Sequence, residues 1–294
     1  MDAGNERAGG EWGNSEALLR VAIMKKFRKL LNNLLTIRAV LVLGPSLYLL
    51  YVSKFLVNII NIIKAGDFRP LDKSMGKVAK YFHYRGHDFI FDCKFCDENL
   101  DEDSFGFGIA REIYIRDCYF KWLPPKVYCA ARTVVDLGAN RGGFSMLMTN
   151  RAKFILSVEC GKQYVPIIRH NYEANNYSSY AIETAYVGAG GSTASDSPQI
   201  KINELFQRYN IDFVDLIKID IEGAEFSLFD FENSDNWLQR VGAISMEVHP
   251  LHGDPNDILT VLSKNNFTYI IADENLQRMK NPKLSSFIYA WRET

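Results

Sequence analysis

The sequence lacks the features of secreted, disulfide-bonded and nucleic-acid-binding proteins. Its 34 basic and 35 acidic side chains nearly cancel, so no overall positive field attracts nucleic acid. Five cysteines, an odd number, do not indicate a disulfide framework in a chain of 294 residues. The polar start MDAGNERAGGEWGNSE has no apolar run of the signal-peptide type. These absences predict a cytoplasmic protein that binds no nucleic acid.

A long uninterrupted apolar run is also missing, although residues 15–65 are rich in apolar side chains. The uncharged stretch between Arg38 and Lys54 is only fifteen residues long and is broken by Gly44-Pro45. As a helix it would measure about 22 Å, less than the roughly 30 Å hydrocarbon core of a bilayer. The preceding MKKFRKLLNNLLTIR has the pattern of a basic amphipathic helix.

Three interpretations of residues 15–65 follow from this pattern. The favoured one is a helical hairpin that packs on the protein or on a second subunit. The second is an interfacial anchor that makes peripheral membrane contact, and the third is a helix that spans the membrane. The sequence does not fix the oligomeric state.

From residue 131 onward, apolar strand patterns alternate with helical patterns. There are seven strand patterns, with helical patterns between the first six, which predicts an α/β fold with a doubly wound, mostly parallel seven-stranded sheet. About a dozen residues separate the last two strands, too few for a crossover helix, so the last strand is expected to be antiparallel. We divide the chain into an N-terminal helical extension (1–70), a lead-in segment (71–130) and an α/β domain (131–294).

A glycine loop follows the first predicted strand, in TVVDLGANRGGFS (133–145). In a dinucleotide-binding pattern Asn140 stands where the middle glycine is needed, which argues against NAD. The alternative pattern is Asp-x-Gly-x-Asn-x-Gly, formed by Asp136, Gly138, Asn140 and Gly142. An acid at the strand end repels phosphate but suits the ammonium group of an amino-acid moiety, as in S-adenosylmethionine.

The second strand supports a nucleoside ligand. FILSVE ends in Glu159, about twenty residues after the loop, the spacing at which an acid accepts hydrogen bonds from ribose hydroxyls. A glycine loop alone is often a plain tight turn, and a lone Glu after a strand is usually solvated. Their order and their positions on the predicted elements make a cofactor site the better interpretation.

Five segments, VVDLGANRGGFS, SVEC, IETAYVG, LIKIDIEGAE and ISMEVH, resemble the FkbM family of S-adenosylmethionine-dependent methyltransferases over about residues 107–292. The resemblance implies a class I methyltransferase, Rossmann-like fold and members that often O-methylate hydroxyls of sugars or polyketides, while some methylate peptide side chains. It also implies that the Asp136 to Gly142 loop holds the methionine part. By the same resemblance Glu159 holds the ribose, and Ala185 and Tyr186 lie by the adenine.

Methyl transfer needs groups that position the acceptor and remove its proton. Strand four is followed by Asp220 and Glu222, and strand five ends with Glu247 and His249 on one face by the two-residue period. Such a constellation suits a general base or a site for a hard cation such as Mg²⁺, and no resident metal is assigned. We rank Asp220 first as base or acceptor-positioning acid, then His249, then Glu222 and Glu247.

Two further sets of polar residues are not assigned a role in catalysis or metal binding. Glu225 is expected to be a solvated acid at a helix start. Upstream, HYRGHDFIFDCKFC offers the zinc-type residues His83, His87, Cys93 and Cys96, but on a strand residues three apart point to opposite faces. We therefore expect these four side chains to serve packing rather than metal binding.

The leading hypothesis is a methyltransferase that methylates a hydroxyl of a sugar, glycan or glycolipid-like acceptor with S-adenosylmethionine. An N-methyltransferase that acts on a peptide or small molecule is the first alternative. An NAD-dependent oxidoreductase and a non-catalytic scaffold held at a membrane by the N-terminus are less favoured.

Overall fold

The computed structural model describes residues 36–100, 104–188, 197–230 and 237–293. The predicted basic amphipathic helix before residue 36 and most of the polar loop GAGGSTASDSPQ lie outside these ranges. The N-terminal part is mainly helical, with one short antiparallel hairpin, β1–β2. Its elements are α1 (Ile37–Ala65), α2 (Arg69–Gly76), β1 (Tyr81–Tyr84), β2 (His87–Ile90), α3 (Cys93–Glu98), α4 (Gly106–Ala110), a π-helix (Arg111–Ile115) and α5 (Pro125–Ala130).

Helix α1 is kinked where the sequence predicts a break. Gly44 has non-helical angles, φ 69° and ψ 162°, and Pro45 follows it, so the first turn beyond the kink lacks a backbone donor. The helix continues on both sides and ends at Gly66, whose φ of 73° is the left-handed cap that glycine favours. One face is buried against the rest of the protein, where Tyr51 packs on Phe107 with ring centroids 5.6 Å apart.

The predicted α/β fold is confirmed. One sheet contains seven strands in the order β10-β11-β9-β8-β3-β4-β5, and β11 pairs antiparallel with both of its neighbours, as the short connection predicts. The strands are β3 (Thr133–Leu137), β4 (Phe154–Val158), β5 (Tyr180–Glu183), β8 (Leu216–Ile219), β9 (Ala243–Glu247), β10 (Thr268–Ala272) and β11 (Phe287–Trp291). The helices are α6 (Gly143–Met148), α7 (Val165–Ala174), α8 (Ile202–Arg208), α9 (Glu225–Leu228) and α10 (Pro255–Lys264).

Short elements complete the chain. Strand β6 (Tyr186–Val187) pairs parallel with β7 (Gln199–Ile200), so the single predicted strand YAIETAY is divided between β5 and β6. Single turns of 3₁₀-helix lie at Lys162–Tyr164 and Pro282–Leu284.

Each face of the sheet has its own apolar core. One core joins α1, the lead-in and helices α6 and α7, so buried residues of all three predicted segments pack together. The other joins α8 and α10 to the opposite face. The sheet is therefore covered on both sides, which explains why strands such as β8 are buried throughout.

The strand order places a crevice at one end of the sheet. From β3 the chain adds β4 and β5 on one side, and then β8 and β9 on the other. Ligands of open α/β sheets bind at such a reversal, beyond the carboxyl ends of the strands. Leu137 of β3 lies opposite Ile219 of β8, so the residues that follow, Gly138 and Asp220, are neighbours at this crevice.

Candidate active site

A cavity of about 880 Å³ opens at the carboxyl ends of β3, β4 and β8. Its walls come from the glycine loop, the segment after β4, the start of β6 and the turn after β8. Of the residues predicted from the sequence, the cavity is lined by Gly138, Asn140, Glu159, Ala185, Tyr186, Asp220 and Glu222. Seven of the eleven predicted site residues therefore meet at one cavity.

The glycine loop runs very close to β8. Gly138 has φ +74°, and a Cβ atom at this position would lie 1.7 Å from the carbonyl oxygen of Asp220. The amides of Gly138 and Ala139 both donate to the carbonyl of Val158, at 2.9 and 3.0 Å. The loop is thus fastened to β4 and pressed against β8, and only glycine fits at residue 138.

Backbone amides hold the Glu159 carboxylate in place. One oxygen accepts from the amide of Asn140 at 2.7 Å, and the other accepts from the amide of Gly161 at 2.9 Å. The residue is only 7% exposed and lines the cavity. Each carboxylate oxygen has a second lone pair, so Glu159 can also accept hydrogen bonds from ligand hydroxyls, which fits its predicted ribose role.

Asp136 lies beneath the cavity rather than in its wall. Its side chain is fully buried, accepts from Ser145 Oγ at 2.7 Å and lies 3.4 Å from Lys218 Nζ. This geometry therefore does not support the predicted contact between Asp136 and the ammonium group of a ligand, because Lys218 already balances the charge of the carboxylate. Gly142 is likewise outside the cavity wall and begins α6 with φ 81°.

Lys218 is a site residue that sequence reasoning missed. Its Nζ donates to the carbonyls of Gly138 at 2.6 Å and Leu137 at 3.2 Å, and lies 3.6 Å from Asp220 Oδ2. Burial alone would lower the pKa of this amine, but Asp136 and Asp220 hold that pKa above its ordinary value. A lysine inside the apolar run LIKI was the available signal, because a buried charge needs partners.

Asp220 is oriented by the lead-in segment. The hydroxyl of Tyr119 donates to Asp220 Oδ2 at 2.8 Å, and Ser245 Oγ donates to the carbonyl of Tyr119 at 2.6 Å. Burial raises the pKa of Tyr119 well above its ordinary value, so the phenol keeps its proton. The sequence held no signal for this contact, since 101 positions separate the two residues.

The interpretation of Glu225 as a solvated acid is wrong. The residue is 0% exposed, and its carboxylate accepts from the amide of Gly223 at 2.8 Å and from the amide of His249 at 2.7 Å. The same carboxylate lies 2.9 Å from Nδ1 of His249, and this hydrogen bond raises the pKa of His249 to about 9. Glu225 therefore fixes the imidazole and leaves Nε2 facing Glu222, 3.4 Å away.

Glu247 completes the acidic side of the site. Burial, together with the nearby charge of Asp220, raises the pKa of Glu247 to about 8. Neither Glu247 nor His249 lines the cavity itself; both lie beside Asp220 at the ends of β8 and β9.

Three of the four ranked catalytic residues converge. Ligand atoms of Asp220, Glu222 and His249 lie within 4.8 Å of one another, a spacing that suits proton transfer and also suits a hard divalent cation. The zinc-type residues upstream do not converge in this way among the described residues. His83 pairs with Asp88 and His87 with Arg151, while Cys93 and Cys96 lie buried on α3, since the strand ends at Ile90.

Comparisons with known proteins agree with this geometry. Residues 147–269 match the model of the methyltransferase FkbM domain. This range contains Glu159, Tyr186, Asp220 and His249 but begins after the glycine loop. The search of curated proteins finds no match.

Solved structures give distant similarities. An rRNA methylase from Streptococcus thermophilus is 9% identical, with 57% of this chain and 92% of that chain covered and a TM-score of 0.39. A putative methyltransferase from Streptococcus mutans in complex with SAH is 10% identical, with coverages of 56% and 92% and a TM-score of 0.38. A putative SAM-dependent methyltransferase from the same organism is 14% identical, with coverages of 71% and 54% and a TM-score of 0.42.

Proposed function

We propose that this chain is a methyltransferase of the FkbM type and that it methylates a hydroxyl group of a sugar, glycan or glycolipid-like acceptor in the cytoplasm. The family match over residues 147–269, the seven-stranded sheet and the cavity support an S-adenosylmethionine-dependent methyltransferase. One observation carries the proposal: the cavity and the proposed catalytic group share residues. Asp220 and Glu222 line the cavity and lie beside His249.

The residues around the cavity fit S-adenosylmethionine. A volume of about 880 Å³ lies in the range of small-molecule sites. Glu159 presents a fixed carboxylate for the ribose, Gly138 lines the cavity without a side chain, and Ala185 and Tyr186 form the wall predicted for the adenine. When bound, the cofactor supplies an electrophilic methyl carbon on a sulfonium.

Asp220 is the acceptor-positioning acid in this proposal. Tyr119 donates to its Oδ2 and Lys218 Nζ lies 3.6 Å from the same oxygen, so its carboxylate is fixed beside the cavity. A carboxylate held in this way can accept a hydrogen bond from an acceptor hydroxyl and fix its direction.

His249 is the general base. Glu225 occupies Nδ1, and Nε2 is left for the proton of the acceptor hydroxyl. Because the pKa of His249 is about 9, the imidazole carries a proton at neutral pH in the ligand-free enzyme. We therefore expect methyl transfer to accelerate as the pH rises from 7 toward 9, and we expect His249→Asn to remove the part that titrates near 9, while the titration of Glu247 near 8 remains.

A labelling experiment tests the acceptor class. Host extract from a deletion strain is incubated with the enzyme and methyl-labelled S-adenosylmethionine, and the glycan, glycolipid and protein fractions are separated. We expect label in alkali-stable O-methyl groups of the glycan or glycolipid fraction, with little label for Asp220→Asn. Label found only in N-methyl groups would establish the N-methyltransferase alternative instead.

A second measurement separates the remaining alternatives. If the enzyme binds S-adenosylhomocysteine but labels nothing, and if Asp220→Ala keeps full biological activity, the scaffold hypothesis replaces the catalytic one. Stabilisation by NADH without stabilisation by S-adenosylhomocysteine would favour the oxidoreductase. In a host strain that lacks the gene, mass spectrometry of glycans and lipids should show one species that is missing the mass of one methyl increment.

A further inference from the structure

Helix α1 has two apolar faces, and only one of them is covered among the described residues. The inner face contains Tyr51, Phe55 and Ile62, which are at most 2% exposed. On the opposite side Leu49, Leu56, Ile60 and Ile63 recur at spacings of seven, four and three residues, which places them on one stripe. We call this side of the helix the outer face. It consists of six residues whose exposed fractions range from 47% to 79%: Leu41, Leu49, Leu56, Val57, Ile60 and Ile63.

An outer face of this kind marks an interaction surface. Single exposed apolar side chains are normal, but a continuous row along one helix is not. By length and composition α1 could cross a membrane, with a mean hydropathy of 1.8 in its most apolar window. One polar side chain near the outer face bonds to the helix itself: Ser53 Oγ donates to the carbonyl of Leu50.

The charge around α1 indicates what the outer face contacts. Residues 17–66 contain eight basic residues and no acidic residue, although the whole chain has a formal net charge of −1. A second copy of the chain, or residues 17–35 folded back, would bring further positive charge to Lys54 and Lys64. Anionic lipid headgroups would neutralise that charge, and the acyl chains beneath them would take up the apolar side chains.

The inner face decides the orientation of the helix. Its buried residues extend from Ala39 to Ile62, so α1 packs on the protein along its whole length. At the N-terminal end Arg38 forms an ion pair with Asp117 at 3.0 Å and donates to the carbonyl of Tyr114 at 3.0 Å. A spanning helix would have to break these contacts and expose the inner face.

We propose that the outer face of α1 is an in-plane docking surface for the anionic surface of a lipid bilayer. The helix lies parallel to the membrane with its outer face among the acyl chains, and the rest of the protein stays in water. This inference does not depend on the methyl acceptor. It places the enzyme beside membrane lipids and makes it a peripheral membrane protein.

Vesicle sedimentation of the full-length chain tests the proposal. We expect at least tenfold stronger binding to vesicles of phosphatidylcholine with 30% phosphatidylserine (about one lipid in three) than to phosphatidylcholine alone, and release by high salt. Leu56→Glu with Ile60→Glu should lower binding at least tenfold. The matched control is Leu284→Glu. Leu284 is 63% exposed on the 3₁₀ turn Pro282–Leu284, so this variant should bind vesicles as the parent chain does.

Further readouts make each alternative visible. Unchanged affinity of the double variant for S-adenosylhomocysteine shows that it is folded, so a loss of vesicle binding supports the proposal. Four results would overturn it. The first is that the parent chain binds no vesicles, and the second is a dimer in light scattering that the double variant abolishes. The third is a lowered melting temperature of the double variant when the parent chain binds no vesicles, and the fourth is that the membrane-bound parent chain resists alkaline carbonate extraction. The last three indicate a second copy, cover by the chain's own N-terminus, and a spanning helix.

Discussion

The two halves of the proposed active site, one proposed for the cofactor and one for the acceptor, are built in different ways. In the cofactor half, Glu159 is held by backbone amides of residues 140 and 161, within one βαβ unit. In the acceptor half, Tyr119 reaches Asp220 across 101 positions, and Glu225 reaches His249 across 24. The first half is fixed by the backbone, whereas the second contains His249 and Glu247, whose pKa values are raised to about 9 and about 8. Binding of the cofactor should therefore vary little with pH, while catalysis should vary strongly.

Lys218 joins the two halves, so replacing it should have the largest effect. Lys218→Met leaves the buried Asp136 and the partly buried Asp220 without their cation. We expect the free energy of unfolding to fall by about 3–5 kcal/mol, measured by urea unfolding. The double variant with Asp136→Asn should recover part of the loss, because it removes one of the uncompensated charges. A loss below about 1 kcal/mol would show that the two halves are not joined through this side chain.

The glycine loop should be the next most sensitive feature. In Gly138→Ala the new methyl group would collide with the carbonyl of Asp220, so the loop must move away from β8. We expect the affinity for S-adenosylhomocysteine to fall about 100-fold, roughly 2.7 kcal/mol, in calorimetry. Gly86→Ala is the matched control, since Gly86 has φ +84° with nothing within 4 Å. It should lose about 1–2 kcal/mol of stability and keep its affinity.

The Glu159 carboxylate gives a smaller effect confined to the cofactor half. Glu159→Gln replaces one acceptor oxygen by a donor, so either a loop amide or a ribose hydroxyl loses its partner. We expect S-adenosylhomocysteine to bind about 10- to 100-fold more weakly, with little change in its pH dependence. Glu183→Gln, at the end of the neighbouring strand and bonded to Arg208, is the control and should bind normally. Equal losses in both variants would argue against a specific ribose contact.

The smallest effect concerns stability and tests the acceptor half. The pKa of His249 in the folded protein, about 9, is above the ordinary value of 6.5. A raised pKa stabilises the fold fully below about pH 6.5, and this contribution disappears as the pH rises through about 9. The parent should therefore lose more stability than His249→Asn between pH 6 and pH 9.5 in urea unfolding. In Glu225→Gln, histidine NMR signals should show a lower pKa for His249, and an unchanged pKa would contradict the account.

The sequence could predict which residues line the cavity because their pattern is local. The order strand, glycine loop, strand and Glu159 places the residues once a parallel sheet is assumed. Asp136 was the exception. Its type and spacing fit a ligand, but Lys218 on the neighbouring strand neutralises it, and no local pattern showed that pairing.

The acceptor half could be predicted only in part. Two strand ends placed Asp220 and His249 near each other, because parallel strands end at the same edge of a sheet. Tyr119 and the buried state of Glu225 depend on packing between segments far apart in sequence. Helix α1 shows the same limit. Its break at Gly44 was visible in the sequence, but which face it buries depends on the lead-in that packs against it.

The central claim is that the cavity at the ends of β3, β4 and β8 holds S-adenosylmethionine. Calorimetric titration of the full-length chain with S-adenosylhomocysteine, and separately with NADH, tests it most directly. We predict one S-adenosylhomocysteine per chain, binding that Gly138→Ala and Glu159→Gln weaken and Glu183→Gln does not, and no heat with NADH. Binding of NADH with no binding of S-adenosylhomocysteine would contradict the account.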